Sequence, residues 1–77
     1  MMGNMQMPSE RTIELLKQWF PAGTRVELVS MNDPYTKLEP GEQGTVLCVD
    51  DMGTIHVNWD CGSSLGVVHG EDFIRKI

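Results

Sequence analysis

The sequence predicts a small all-β domain with one N-terminal helix, built as a five-stranded SH3-like barrel. Three observations lead to this fold class. The 77 residues are enough for one compact core and no more. After one segment with helical periodicity, apolar and polar residues alternate with a period of two. Turn-forming residues then divide this part into five short strands at intervals of roughly ten residues, whereas a two-sheet sandwich needs about seven strands.

The chain divides into a tail, a helix and a barrel domain. Residues 1–7 hold four of the six methionines and no charged side chain. Such a segment has no sustained apolar period, so we expect a disordered tail. Residues 8–20 are predicted as the helical segment and residues 21–77 as the barrel.

The helix has clear start and stop signals and one apolar face. Ser9 is a good N-cap, and Glu10 places a carboxylate at the positive end of the helix dipole. Pro21 ends the helix after about Gln18, because proline cannot continue the hydrogen-bond ladder. The apolar residues recur at helical spacing, namely Ile13, Leu15, Leu16, Trp19 and Phe20. We expect this stripe to cap the barrel, with Trp19 and Phe20 at the contact, or to mediate self-association.

The barrel strands follow from alternation and from the turns between them. The five predicted strands cover residues 24–31, 44–49, 54–59, 65–68 and 73–77. Asn32-Asp33-Pro34, Pro40-Gly41 and the Asp50–Gly53 segment are typical turn sequences. Trp59 shares a strand face with Ile55 and Val57 and is therefore predicted to be in the core. Cys48, Phe73 and Ile77 are also expected to be buried.

Combined motifs in the barrel part resemble one known family. They are PAGTRVELVSM at 21–31, DPY at 33–35, PG at 40–41, GTV at 44–46, VDD at 49–51, GTIHVNWD at 53–60 and GS at 62–63. This series closely resembles a bacterial and phage domain of unknown function, common on integrative elements and prophages. The resemblance implies the barrel fold and a mobile-element setting, and it implies no activity. Members of the family usually have Asn where this chain has Cys61, which weakens any role for that thiol.

The residue types that could carry chemistry do not form a recognisable catalytic or metal-binding pattern. Zinc ligands would have to come from Cys48, His56, Cys61 and His69. They are scattered, whereas structural zinc sites pair their ligands two to four residues apart. Cys61 has no neighbouring cation to activate it, and Asp50 and Asp51 are explained by turn formation. We therefore expect no enzyme, no metal and no cofactor.

The charge distribution favours a protein partner. Between Glu27 and Asp72 there are nine acidic residues and one basic residue, Lys37, a local charge of −8. This disfavours nucleic acid, since Lys and Arg supply that affinity. The chain has no 18-residue apolar run for a membrane span and no signal peptide pattern, so we expect a cytoplasmic protein.

We therefore predict a non-enzymatic protein-interaction module with an acidic surface, which modulates a host nucleic-acid enzyme on behalf of a phage or mobile element. The alternative is a nucleic-acid-binding small barrel of the KOW type, whose turn-and-strand opening resembles the pattern from Gly41 to Val46. Tyr35, in a proline-restricted loop, is the expected aromatic anchor of the contact surface. The predicted partner-binding residues are Asp33, Pro34, Tyr35, Lys37, Asp60 and Ser63.

Overall fold

The computed structural model describes residues 9–31 and 38–77. It has one helix, α1 (Glu10–Trp19), and five strands, β1 (Arg25–Ser30), β2 (Gln43–Val49), β3 (Thr54–Trp59), β4 (Val67–Val68) and β5 (Phe73–Lys76). The strands form one antiparallel sheet in the order β4-β3-β2-β1-β5. The first strand thus lies between the second and the last, which is the strand order of an SH3-like barrel. The predicted fold class is confirmed, and the predicted tail over residues 1–7 lies outside the described residues.

Local capping sets both ends of α1. The Ser9 hydroxyl accepts a hydrogen bond from the backbone N–H of Thr12 at 3.2 Å, as expected of an N-cap. At the other end the N–H of Phe20 donates to the carbonyl of Leu16. Leu16 is buried and Phe20 packs against the core, so these two residues seat the helix on the sheet. Trp19 was predicted to share this contact, but its side chain is 53% exposed.

The core lies between the inner face of the sheet and α1. Its members are Leu16, Val26, Leu28, Leu38, Val46, Val49, Ile55, Val57, Trp59 and Val67. Trp59 is the largest fully buried side chain, and its indole Nε1–H donates to the carbonyl oxygen of Leu65 at 2.8 Å. The predicted core position of Trp59 is therefore confirmed. Strand β4 begins at Val67, two residues later than predicted.

Two irregularities in the sheet change which side chains reach the core. The pairing of β2 with β3 shifts between Val46 and Cys48, so Leu47 is an additional residue in β2. Leu47 and Cys48 both face outward as a result, and Val49 returns to the core. The prediction that Cys48 is a core residue is therefore wrong.

A second shift affects the closing strand. The pairing of β1 with β5 changes between Leu28 and Ser30, and Phe73 lies opposite Ser30. Ile74, rather than Phe73, packs against the core. Phe73 and Ile77, both predicted to be buried, are 54% and 53% exposed.

Candidate functional site

Asp60, one of the predicted contact residues, is held by Arg25 of strand β1. Arg25 at the start of β1 donates from Nη1 to Oδ1 of Asp60 at 2.8 Å and from Nη2 to Oδ2 at 2.6 Å. Nη1 also donates to the Thr45 hydroxyl on β2, which lies between β1 and β3 in the sheet. This two-pronged geometry is the strong form of a carboxylate–guanidinium pair. It ties the turn after β3 to β1 across β2.

The Arg25–Asp60 pair also changes the acidity of both groups. The hydrogen bond from Arg25 lowers the pKa of the Asp60 carboxyl, and the same bond raises the pKa of the Arg25 guanidinium. Both side chains are partly exposed, so the pair stays accessible to solvent and to a partner. Asp60 can therefore contribute to a contact surface as one half of an ion pair, and its carboxylate is already engaged within the domain.

Ser63 lies on the same turn and stabilises it. Its backbone carbonyl accepts the N–H of Trp59 at 2.8 Å, and its hydroxyl oxygen accepts the N–H of Leu65 at 3.3 Å. The structure thus brings Ser63 and Asp60 together on one turn. The other predicted contact residues, Asp33, Pro34, Tyr35 and Lys37, lie outside the described residues.

The paired carboxylates between β2 and β3 have separate structural roles. Asp50 accepts hydrogen bonds from the N–H groups of Met52 and Thr54, both at 2.9 Å, and its Oδ2 lies 2.9 Å from Nε2 of His56. The hydrogen bond with His56 is the main reason why the pKa of Asp50 is lowered, and the two backbone bonds act in the same direction. Asp51 points away and pairs with Lys17 of α1 at 3.0 Å.

The surface of the domain is dominated by negative charge. The chain has 11 acidic and 6 basic residues, and Asp33 and Lys37 are the charged pair outside the described ranges, so the described residues carry the full net charge of −5. Three described cations are engaged with carboxylates, namely in the pairs Lys17–Asp51, Arg25–Asp60 and Arg75–Glu27. A fourth, Lys76, lies 5.5 Å above the ring of Phe20. The cations are therefore mostly occupied within the domain, and the acidic groups determine its outer field.

We expect the domain to lose stability in acid through its lowered carboxyl pKa values. A carboxyl with a lower pKa in the folded state stabilises the fold above its unfolded pKa, about 3.9, and loses that contribution as the pH falls through the folded value. Asp60→Asn should melt below the wild type at pH 7, and its melting temperature should fall less steeply from about pH 4 downward. Thermal melts between about pH 7 and pH 2 measure this.

The matched variant for this experiment is Arg25→Gln, which removes the other half of the pair. Like Asp60→Asn, it should make the melting temperature fall less steeply as the pH decreases below about 4. The double variant should show the same slope as the single variants. If the melting temperatures of the wild type and Asp60→Asn fall equally steeply in acid, the assigned role of the Arg25–Asp60 pair is wrong.

A groove of about 230 Å³ lies between the end of α1 and the connection from β4 to β5. Buried Leu16 and Val67 are in its lining, and exposed Trp19 and Phe73 border it. This groove was not predicted, because Trp19 was expected to seat the helix on the barrel and Phe73 was expected to be buried. The sequence holds no local signal for this site, because the share of an amphipathic stripe that is buried depends on the sheet beneath it.

The described residues offer little for redox or metal chemistry. Cys48 and Cys61 are both free and exposed. Within residues 9–31 and 38–77, no three His, Cys, Asp or Glu side chains are grouped so that they could hold a metal ion. In the same part of the chain, no helix has the length and apolar character to cross a bilayer.

A known protein family matches most of the chain. The family model of the "Domain of unknown function (DUF4314)" matches residues 9–77, which cover α1 and the whole sheet. No curated protein and no solved structure matches the chain.

Proposed function

We propose that this chain, which belongs to the DUF4314 family of unknown function, is a non-enzymatic module that binds a partner protein. The charge of its surface supports this function. The partner presents a basic face to the acidic exterior of the domain. The finer parts of the proposal are a cytoplasmic protein of a phage or mobile element and a host nucleic-acid enzyme as its partner. An enzyme of that kind has a basic surface for phosphate groups, which an acidic domain can occupy.

The observation that supports this proposal is the pairing of the cations. Lys17, Arg25 and Arg75 each lie within 3.1 Å of a carboxylate oxygen of their own domain. Their charges are compensated locally, and the net charge of −5 remains for the surface as a whole. Complementary charge steers association and selects partners, so a basic protein surface is favoured.

The same observation disfavours the alternative, a nucleic-acid-binding barrel of the KOW type. Binding to phosphates requires Lys and Arg side chains that can displace counterions. Arg25, for example, would have to give up two hydrogen bonds to Asp60 before it could contact a phosphate. A basic stripe with interleaved aromatic residues would mark such a site, and the ion pairs interrupt any such stripe on the described surface.

The contact surface in this proposal combines residues 33–37 with the turn after β3. Tyr35 is proposed as the aromatic anchor, and Asp33, Pro34 and Lys37 as further contact residues. On the turn, the Arg25–Asp60 pair and Ser63 provide a rigid polar border, since their hydrogen bonds are already formed. Preformed contacts of this kind reduce the ordering entropy that binding costs.

Affinity capture with nuclease-treated lysate of the source organism, followed by binding measurements with the purified partner, tests the proposal. We expect direct binding that weakens with added salt, and we expect Tyr35→Ala and Asp33→Ala each to weaken it by about 1–3 kcal/mol without changing the melting temperature. Met52→Ala, an exposed and uncharged truncation on the β2–β3 turn, is the matched control and should bind as the wild type does.

Two outcomes would contradict the proposed function. One is normal partner binding by Tyr35→Ala, which would remove residues 33–37 from the contact surface. The other is micromolar, salt-sensitive binding of the purified domain to duplex or single-stranded DNA or RNA at physiological salt, which would favour the KOW-type alternative.

A further inference from the structure

We infer that the groove between α1 and the β4–β5 connection is a second docking site, and that it takes a short cationic, amphipathic segment of the partner protein. An apolar side chain of that segment enters the groove, and Lys or Arg residues on either side of it face the acidic exterior. This inference rests on the proposed function, because it adds a docking site for the same class of partner.

Two aromatic residues of the groove are exposed beside buried ones. Trp19 and Phe73 are 53% and 54% exposed, although Leu16 and Val67 in the same groove are 3% and 1% exposed. The rings therefore border a recess whose floor belongs to the core. Large aromatic side chains that are exposed at the border of a recess are common anchors of protein interfaces.

The size and shape of the groove select the kind of ligand. Its volume of about 230 Å³ is below the range of roughly 300–1,000 Å³ that is typical of small-molecule and cofactor pockets. The groove is open along one side, so a chain can lie across it and insert a side chain. It therefore suits one or two side chains of a peptide rather than a complete small molecule.

Charge complementarity indicates that the segment is cationic. Asp72 lines the groove with a carboxylate that accepts the N–H of Val68 at 2.9 Å, exposed Glu71 precedes it, and the domain has a net charge of −5. The exposed indole of Trp19 also offers the ring type that binds Arg and Lys most strongly. Lys76 already lies 5.5 Å above the ring of Phe20, so we assign the cation of the segment to the Trp19 indole.

Charge complementarity also disfavours the two other candidate occupants of the groove, a second copy of the chain and the chain's own residues 1–8. A second copy of the chain carries the same net charge of −5, which repels association of two acidic faces. Residues 1–8 contain methionines but no charged side chain, so they do not complement Asp72 and Glu71. In a cationic, amphipathic segment of another protein, an apolar side chain complements the groove and the Lys or Arg residues complement the acidic exterior.

Three synthetic peptides of 14 residues test the inference with the full chain labelled with ¹⁵N. The first has Leu and Trp on one helical face and Arg on the other. The second is a scrambled peptide of the same composition, and the third has Glu in place of every Arg. We expect the first to shift the Trp19 indole N–H signal and to bind about tenfold or more tightly than the other two.

Variants of the protein locate the site. Trp19→Ala and Phe73→Ala should each weaken binding of the first peptide about tenfold or more, and both leave the net charge unchanged. Met52→Ala is the matched control, since Met52 is 64% exposed but lies on the β2–β3 turn, away from the groove. It should bind the peptide as the wild type does.

Each contrary outcome overturns the inference in a recognisable way. If the Glu peptide binds as tightly as the Arg peptide, the segment need not be cationic. If Trp19→Ala binds the first peptide as tightly as the wild type does, the groove is not the binding site. A dimer in sedimentation that Trp19→Ala converts to monomer assigns the groove to a second copy. Contacts between Met methyl groups and the Trp19 indole that disappear on deletion of residues 1–8 assign it to the chain's own segment. None of these results alters the Tyr35→Ala and Asp33→Ala measurements, so failure here is distinct from failure of the proposed function.

Discussion

Trp59→Ala should lower the free energy of unfolding more than any other single substitution considered for this domain. Trp59 is 1% exposed in the middle of the core, and replacing a buried aromatic residue with alanine typically costs about 3–5 kcal/mol. A domain of this size has a total stability of only about 4–12 kcal/mol. The variant also loses the indole donor of the Leu65 carbonyl, so the segment that leads into β4 loses its attachment to β3.

Trp19→Ala is the matched control, because it makes the same chemical change on a ring that is 53% exposed. Its free energy of unfolding should fall by less than about 1 kcal/mol. Urea titrations followed by far-UV circular dichroism, with near-UV dichroism for tertiary packing, measure both variants. If Trp59→Ala folds normally while Trp19→Ala unfolds, the assignment of one tryptophan to the core and the other to the surface is wrong.

Gly44→Ala should destabilise the domain by about 1–3 kcal/mol, the cost of overpacking a core. A Cβ on Gly44 would lie 2.7 Å from Cγ1 of Val57, 3.0 Å from the Asn58 carbonyl oxygen and 3.0 Å from Cα of Trp59. Two of these atoms belong to the backbone of β3, so β2 and β3 would have to move apart. Without this clash the change would favour the folded state, since glycine loses more entropy than alanine in a strand.

Gly66→Ala provides the comparison for Gly44→Ala. The Cβ at position 66 would lie 2.8 Å from a methyl group of Thr54, whereas the nearest backbone atom, the Ile55 carbonyl oxygen, is 3.7 Å away. A side chain can shift more easily than a paired strand, so Gly66→Ala should cost less than Gly44→Ala in thermal and urea unfolding. The reverse order would show that the two strands can separate at Gly44 without much loss.

The sequence alone was sufficient for the features that depend on neighbouring residues. Ser9 and Pro21 placed α1 to within one residue at its end, because capping and the missing N–H of proline act locally. Strand β3 was predicted with its observed bounds, since Thr54 to Trp59 alternates without interruption. The core position of Trp59 followed from the same alternation.

Only the tertiary structure decided the features that depend on pairing between distant segments. Cys48 was assigned to the core because it lies within an apolar strand, but the extra residue Leu47 turns it to the outer face. Phe73 was expected to be buried in the closing strand, but the pairing of β5 with β1 places Ile74 on the core side instead. The Arg25–Asp60 pair joins residues 35 positions apart, a contact that strand order creates and that local pattern does not encode. Trp19 is exposed for a related reason: an amphipathic stripe predicts a buried face, but the width of the contact depends on the sheet beneath, and here Leu16 and Phe20 fill it.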